Sequence, residues 1–415
     1  MPGPGAFLLG EEEKKEVLDV LESGYLFRYG SEDDPAFKRK VNQLEEEFAR
    51  FSGAKHCVAV SSGSGALMCC LAALGIGPGD EVIVPGYTFI ASISSVILSR
   101  AIPVLAEVNE SLTIDPADVE RKITDRTKAI LPVHMLGNPC DMDAVMAIAQ
   151  KHGLAVIEDC CQAAGASYKG RKVGTFGDIA AFSLNVFKTI TAGDGGMVLT
   201  NSDELYERAF GFHDQGHKPN RTGVEIGKRS IIGMNMRMNE LTGAVALAQV
   251  RKLDRILGLL REKKAIFKQA LSGMPGVGFR VVNDEGECAT LLTLLFESSA
   301  AADCFCEKIG GRTLAHSGWH VYNNMEQILG KQTATDYPCP YDCPAYGRNM
   351  EYRAHMLPQT DAILDRAVNL SVGVVDGGLG AGFGVNILSS EEEILSTAAR
   401  VRELAAEAVR EAAHA

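Results

Sequence analysis

Residues 56–85 read HCVAVSSGSGALMCCLAALGIGPGDEVIVP. The run opens on a short β-rich segment, HCVAV, and breaks at a turn of serines and glycines. It continues as an apolar stretch of helical length and closes on a second β-rich segment, EVIVP. Strand, turn, helix and strand form the unit from which parallel sheets are built, because parallel neighbours need a crossover between them. The alternation continues through AIPVLAEV, KAILPVH, MDAVMAIAQKHG and LAVIED, with further short runs in DIAAFSL and GGMVLT. An α/β fold follows, with a mainly parallel, doubly wound sheet flanked by helices.

Upstream of this core, residues 11–23 place Val17, Leu18 and Leu21 on one helical face among Glu and Lys, and Gly24 is expected to stop that helix. Downstream, a helix-rich stretch around residues 238–270 leads out of the sheet. The remainder mixes strands such as ATLLTLLF with helices, and Ser390 followed by Glu393 forms a capping box for a long Ala/Glu/Arg helix. At 415 residues the chain is too long for one ordinary core. Two domains are expected: residues 1–255 as a large ligand-binding domain carrying the N-terminal helix, and residues 256–415 as a smaller α+β domain.

Hydrophobic residues make up 46% and charged residues 23%, the composition of a compact globular protein. Lys and Arg number 41 against 53 Asp and Glu, a net charge of −12, so the chain lacks the basic footprint that nucleic acid demands. No segment approaches the ~18 consecutive apolar residues of a membrane span, and the N-terminus has no basic start leading into an apolar run. The expectation is a cytoplasmic protein with no membrane or nucleic-acid partner. Eleven cysteines is an odd count, and the adjacent pairs Cys69/Cys70 and Cys160/Cys161 lie in apolar surroundings, which reads as reduced core thiols. Cys339 and Cys343 form a C-x3-C without a second pair at zinc-site spacing, so no metal is expected.

Three segments point to chemistry. The turn SSGSGAL, residues 61–67, follows a strand and opens a helix, where backbone N–H groups and the positive dipole end suit a phosphate. Met68 stands where a dinucleotide fingerprint wants its third glycine, so a monophosphate fits better than NAD. A turn that only caps its helix has the same composition. Glu158 and Asp159 end the strand LAVI, with Gln162 three positions beyond Asp159. Open α/β sheets bind ligands at such strand ends, and a buried carboxylate there can hold a protonated pyridine nitrogen; a helix cap is the plainer role. In SLNVFKTITAGDGG, residues 183–196, Lys188 lies between an apolar strand and a glycine-rich loop. Semi-buried surroundings there would suit a lysine that attacks a carbonyl, although a solvated loop lysine is the alternative.

A phosphate cradle, a pyridinium carboxylate and a Schiff-base lysine are the three anchors of pyridoxal 5'-phosphate. SSGSGAL, GIGPGDEVIVPGYTFIAS, RTKAILPVH, GLAVIEDCCQAAGASYKG, GDIAAFSLNVFKTITAGDGGMVLTN and GMNMRMNELTGAVALAQVRKLD, in that order over roughly residues 10–265, resemble the successive motifs of the DegT/DnrJ/EryC1/StrS sugar aminotransferases. The resemblance implies a fold-type-I homodimer in which Lys188 carries pyridoxal phosphate as a Schiff base and Asp159 pairs with the pyridine nitrogen. Gln162 is implied on the ring-hydroxyl side and Phe89 as the stacking aromatic. Gly63, Ser64 and Ser183 are implied at the phosphate, which Asn235 reaches from the other subunit. It further implies that glutamate or glutamine leaves its nitrogen as pyridoxamine phosphate and that a keto sugar takes it up, with Lys188 shuttling protons.

Where relatives carry His-Gly after the lysine segment, this chain reads FHDQGHK, with Gln215 before Gly216 and with His213 and His217 flanking. In AHSGWHVYNN the candidate sugar contacts are His316, Trp319, His320 and Tyr322. Arg28 is a candidate anion contact or else a surface salt bridge. The opening MPGPG, with VHMLGN, FKTIT and GWHVYNN, is similar to transaminases that make 8-amino-3,8-dideoxy-octulosonate; a nucleotide-linked hexose, a cyclitol or a natural-product sugar stays open as acceptor. The rival readings are a pyridoxamine-phosphate-dependent sugar dehydratase of the same fold, which usually has histidine where this chain has Lys188, an NAD-dependent reductase, and a non-catalytic cofactor-binding regulator.

Overall fold

The computed structural model describes residues 3–31, 33–219, 230–337 and 339–414. A short turn of helix, α1 (Pro4–Phe7), precedes α2 (Glu11–Ser23) and α3 (Lys40–Ser52). Strand and helix then alternate: β1 (His56–Val60), α4 (Gly63–Leu74), β2 (Glu81–Pro85), α5 (Ile90–Leu98), β3 (Ile102–Ala106), α6 (Pro116–Lys122), β4 (Thr127–Ile130), α7 (Met142–His152) and β5 (Ala155–Asp159). A two-residue hairpin, β6 (Ser167–Tyr168) and β7 (Arg171–Lys172), leads to β8 (Ile179–Ser183), β9 (Gly196–Thr200) and α8 (Asp203–His213). The helices α9 (Glu240–Arg251) and α10 (Leu253–Leu271) carry the chain to β10 (Val277–Phe279), β11 (Leu291–Phe296) and α11 (Ser299–Ile309). After them come α12 (Glu326–Leu329), α13 (Pro358–Leu364), β12 (Ala367–Ser371) and α14 (Glu391–Ala412).

The main sheet has seven strands in the order β1-β9-β8-β5-β4-β2-β3. All run parallel except β9, which pairs antiparallel with both β1 and β8. The strands are buried along nearly their whole length because helices cover both faces, which is why they read as continuous apolar runs rather than as alternation. The parallel strands therefore all end at one edge, where β9 begins. A second, antiparallel sheet, β10-β11-β12, packs with α10, α11 and α14 around Phe267, Phe296, Phe305 and Leu370. Residue 255 falls inside α10, which packs against α14.

The capping box at Ser390 forms as expected: Ser390 Oγ accepts from the Glu393 N–H, and Glu393 accepts from the Ser390 N–H. Gly24 caps α2 in the left-handed conformation at φ 73°. The face of α2 differs from expectation. Leu18 and Leu21 are 53% and 55% exposed, and the buried side carries Glu13, Glu16 and Val20. Polar partners on α3 and α9 and at Lys252 make that reversal possible. Glu13 accepts from Gln249 and Lys252, while Glu16 pairs with Lys40 and Arg251. All eleven cysteines are free thiols. No helix among the described residues is long and apolar enough to cross a membrane.

Candidate active site

The carboxyl ends of the parallel strands converge on a cavity of about 330 Å³. Its walls come from the turn after β1 (Ser62, Gly63, Ser64), the turn after β2 (Thr88, Phe89), the ends of β5 and β8 (Asp159, Ser183), and the loop that carries Lys188. This is the ligand position that a doubly wound sheet creates, since only at this edge do loops from several strands face one another.

α4 begins at the cavity wall. Ser62 is its N-cap, with Oγ accepting from the Gly65 N–H at 3.0 Å, and the following free N–H groups face the cavity edge. Gly63 is required by space: a Cβ there would lie 2.7 Å from Ser183 Cβ. Gly196, ending the GDGG turn, is equally confined, since a Cβ would sit 2.4 Å from Ser62 O. Asp159 is buried in the cavity wall, with Oδ1 accepting from the Cys161 N–H at 3.0 Å and Oδ2 from Ser92 Oγ at 2.7 Å. Lys188 lines the same cavity, half-buried, its Nζ making no hydrogen bond or ion pair among the described residues. The lysine loop is clipped from outside by the N-terminus: Gly3 N–H donates to Val186 O at 2.8 Å, and a Cβ on Gly3 would meet Phe187 O at 2.4 Å.

Gln162 lines the wall with its Oε1 accepting the Leu136 N–H at 2.9 Å, which orients the amide and leaves its NH2 as the remaining donor. Phe89 lies at the opening, its ring centroid 5.3 Å from that of His320. His320 is carried in by backbone pairing between the segment around it and the turn after β2, Thr88 N–H to His320 O and Tyr322 N–H to Gly86 O. Burial, with the charge of Lys188 second, pushes the His320 ring down to about 4.

Seven of the expected cofactor contacts, Gly63, Ser64, Phe89, Asp159, Gln162, Ser183 and Lys188, thus line one cavity. Asn235 is exposed and outside the cavity of its own chain. Of the four sugar candidates only His320 lines the cavity. Trp319 is 59% exposed and His316 is exposed, both outside it. Tyr322 is a core residue whose hydroxyl donates to Asp361 and accepts from the Leu357 N–H. Arg28 is neither on the surface nor at the cavity; it is buried, with Nη2 on both oxygens of Glu45 and Nη1 beside His213. His213 is likewise inside the protein, and Gln215 is exposed and accepts from Arg237.

Sequence reasoning missed Thr88, Ser92, Asp194, Thr290 and Asp376, all cavity-lining. Thr88 precedes α5 and Ser92 lies in its first turn, so no helical spacing links the two hydroxyls, and their hydroxyl character beside the YTFIAS aromatic was the only available signal. His134, Glu158 and Cys160 lie within metal-ligand reach of one another behind the sheet edge. Their polar atoms are already used within the protein: His134 Nδ1 accepts from the Cys140 N–H and Nε2 faces Glu158, which also accepts from Gly174 and Gly177.

A helix N-terminus flanked by serines, a buried carboxylate and a lysine, all lining one cavity, fit pyridoxal phosphate and define a fold-type-I transferase that depends on it. The sequence profile of the DegT/DnrJ/EryC1/StrS aminotransferase family matches residues 8–375, and the chain belongs to that family of pyridoxal-phosphate-dependent aminotransferases. It is 39% identical over 271 residues to the GDP-perosamine synthase of Vibrio cholerae, covering 64% of this chain and 70% of the relative. It is 42% identical over 275 residues to the dTDP-3-amino-3,4,6-trideoxy-alpha-D-glucose transaminase of Streptomyces venezuelae, covering 66% and 69%. Its fold matches the crystal structure of 3-amino-5-hydroxybenzoic acid synthase with a TM-score of 0.77 at 29% identity, over 97% of each chain.

Proposed function

We propose that this chain moves an amino group from glutamate or glutamine onto the keto carbon of a sugar, sugar acid or cyclitol, in the cytoplasm, as a homodimer whose sites are shared between subunits. The carrying observation is that Lys188, the α4 N-terminus and the buried Asp159 line one cavity. Pyridoxal phosphate, when bound, would supply the electron sink for the transfer. Gly63, Ser64 and Ser183 would hold its phosphate, Asp159 would pair with its ring nitrogen, Gln162 would donate to its ring oxygen and Phe89 would stack on the ring. Lys188 would hold it covalently and would move the proton at the substrate carbon. His320, neutral at working pH, is the sugar contact supplied by this chain.

Lys188 is the one Lys or Arg among the described lining residues, against Asp159, Asp194 and Asp376. A dicarboxylate donor needs cations that its own cavity does not offer, which supports a second chain contributing to the site, with exposed Asn235 reaching across. Within this reading residues 1–255 bind the cofactor. Residues 256–415 close the cavity through Thr290, Leu291, His320, Val374, Asp376 and Leu379.

The test is the absorbance spectrum of the purified protein loaded with pyridoxal phosphate, read before and after borohydride and after glutamate or glutamine. The expected result is a band that borohydride fixes on Lys188, absent in Lys188→Ala, and that one donor converts to pyridoxamine phosphate. A protein that takes up the cofactor yet never converts it with either donor would be the regulator rather than the transaminase.

A further inference from the structure

We propose that Ser92, itself held by Thr88, is a positioning residue that aims the Asp159 carboxylate at the ring nitrogen of the cofactor. This rests on reading the cavity as the pyridoxal-phosphate site. Ser92 lies in the first turn of α5 and is 1% exposed; Thr88, in the turn before that helix, is fully buried. Ser92 Oγ lies 2.7 Å from Asp159 Oδ2 and 2.7 Å from Thr88 Oγ1. A serine hydroxyl has one proton and two lone pairs. Given to the carboxylate, that proton leaves the serine oxygen as an acceptor, and the Thr88 hydroxyl fills it, so the chain runs from Thr88 through Ser92 to Asp159.

The consequence is geometric. An aspartate carboxylate, on its single methylene, is free to turn about its last torsion, a broad and soft one. Here one oxygen is tied to the Cys161 N–H and the other to Ser92, which fixes the carboxylate plane with its remaining lone pairs toward the cavity. Chains of hydroxyls polarise one another, so Thr88 strengthens the grip of Ser92. Thr88 also anchors the opposite wall, since its N–H donates to His320 O at 2.9 Å. In this arrangement both hydroxyls act through Asp159.

The experiment measures equilibrium binding of two probes to the apoprotein: pyridoxal phosphate, and its analogue with carbon in place of the ring nitrogen. Ser92→Ala should bind pyridoxal phosphate about 10- to 100-fold more weakly, the loss expected for a buried bond to a charged group. It should bind the carbon analogue within about 2-fold of wild type, because that ligand gives Asp159 nothing to hold. Ser92→Thr, which keeps the hydroxyl, should restore most of the affinity, and Thr88→Val should cost less than Ser92→Ala. Apoprotein melting curves of Ser92→Ala and wild type should superimpose within a few degrees. Equal weakening for both probes would reduce Ser92 to a packing residue, and unchanged binding of pyridoxal phosphate would remove the relay; in both cases the cofactor site stands. Failure of the wild-type protein to take up pyridoxal phosphate at all would overturn the site and this inference together.

Discussion

At the scale of single residues, His213 shows how burial decides protonation. Its Nδ1 faces Phe210 O and its Nε2 faces Arg28, which is itself paired with Glu45. Burial first, and the Arg28 charge second, push the ring down to about 3, so the native imidazole is neutral and accepts from the guanidinium. The unfolded chain binds a proton near the usual 6.5, and the native state does so only near 3. Between those values the unfolded state binds more protons; the stability this group confers is complete above pH 6.5 and is lost as the pH falls toward 3. Asp214, Glu45 and Arg237 surround the same ring and are already in ion pairs. Urea unfolding at about pH 7 and about pH 4.5 should show His213→Gln losing roughly 2–3 kcal/mol less than wild type across that interval. An equal loss in both would place the acid sensitivity elsewhere, with His320 the next residue to substitute.

At the scale of elements, α2 shows a helix docked by charge. Its three-four spacing of Val17, Leu18 and Leu21 suggested an apolar inner face, yet the helix turns Glu13 and Glu16 inward because α9, Lys40 and Lys252 offer partners for every carboxylate oxygen. Two buried ion pairs outweigh two leucines here, since breaking such a pair strands a buried charge. Glu13→Ala removes the acceptor shared by Gln249 and Lys252, leaving Lys252 on Leu8 O at 2.7 Å and Glu12 at 3.5 Å, and should cost about 1–3 kcal/mol in chemical unfolding. Leu18→Ser should fall within about 0.5 kcal/mol for an exposed site. A larger loss at Leu18 than at Glu13 would mean that another chain covers this face.

At the scale of the whole molecule, the smaller sheet steadies the wall of the cavity. Arg280, beside β10, reaches across to donate to Met135 O at 3.2 Å and Leu136 O at 3.1 Å, while Glu287, itself paired with Lys264, holds it from behind. Leu136 adopts φ 56° and turns its N–H onto Gln162, so an arginine outside the cavity fixes a glutamine inside it. Arg280→Met should lower stability by about 3 kcal/mol and weaken pyridoxal-phosphate binding several-fold, measured by unfolding and by titration; unchanged cofactor affinity would show that Leu136 holds its turn unaided. The sequence by itself determined the alternation that makes the sheet, the glycines and serines that open α4, and the order of Asp159, Gln162 and Lys188 along strand ends. Those features are local, written in spacing and residue type. What only the tertiary structure decided are the pairings of polar groups far apart in the chain: Ser92 with Asp159, Arg280 with Leu136, Arg28 with Glu45, and Glu13 with Lys252. A buried polar side chain is stable only beside its partner, and periodicity carries no record of that partner, so hydropathy alone assigns such residues to the surface.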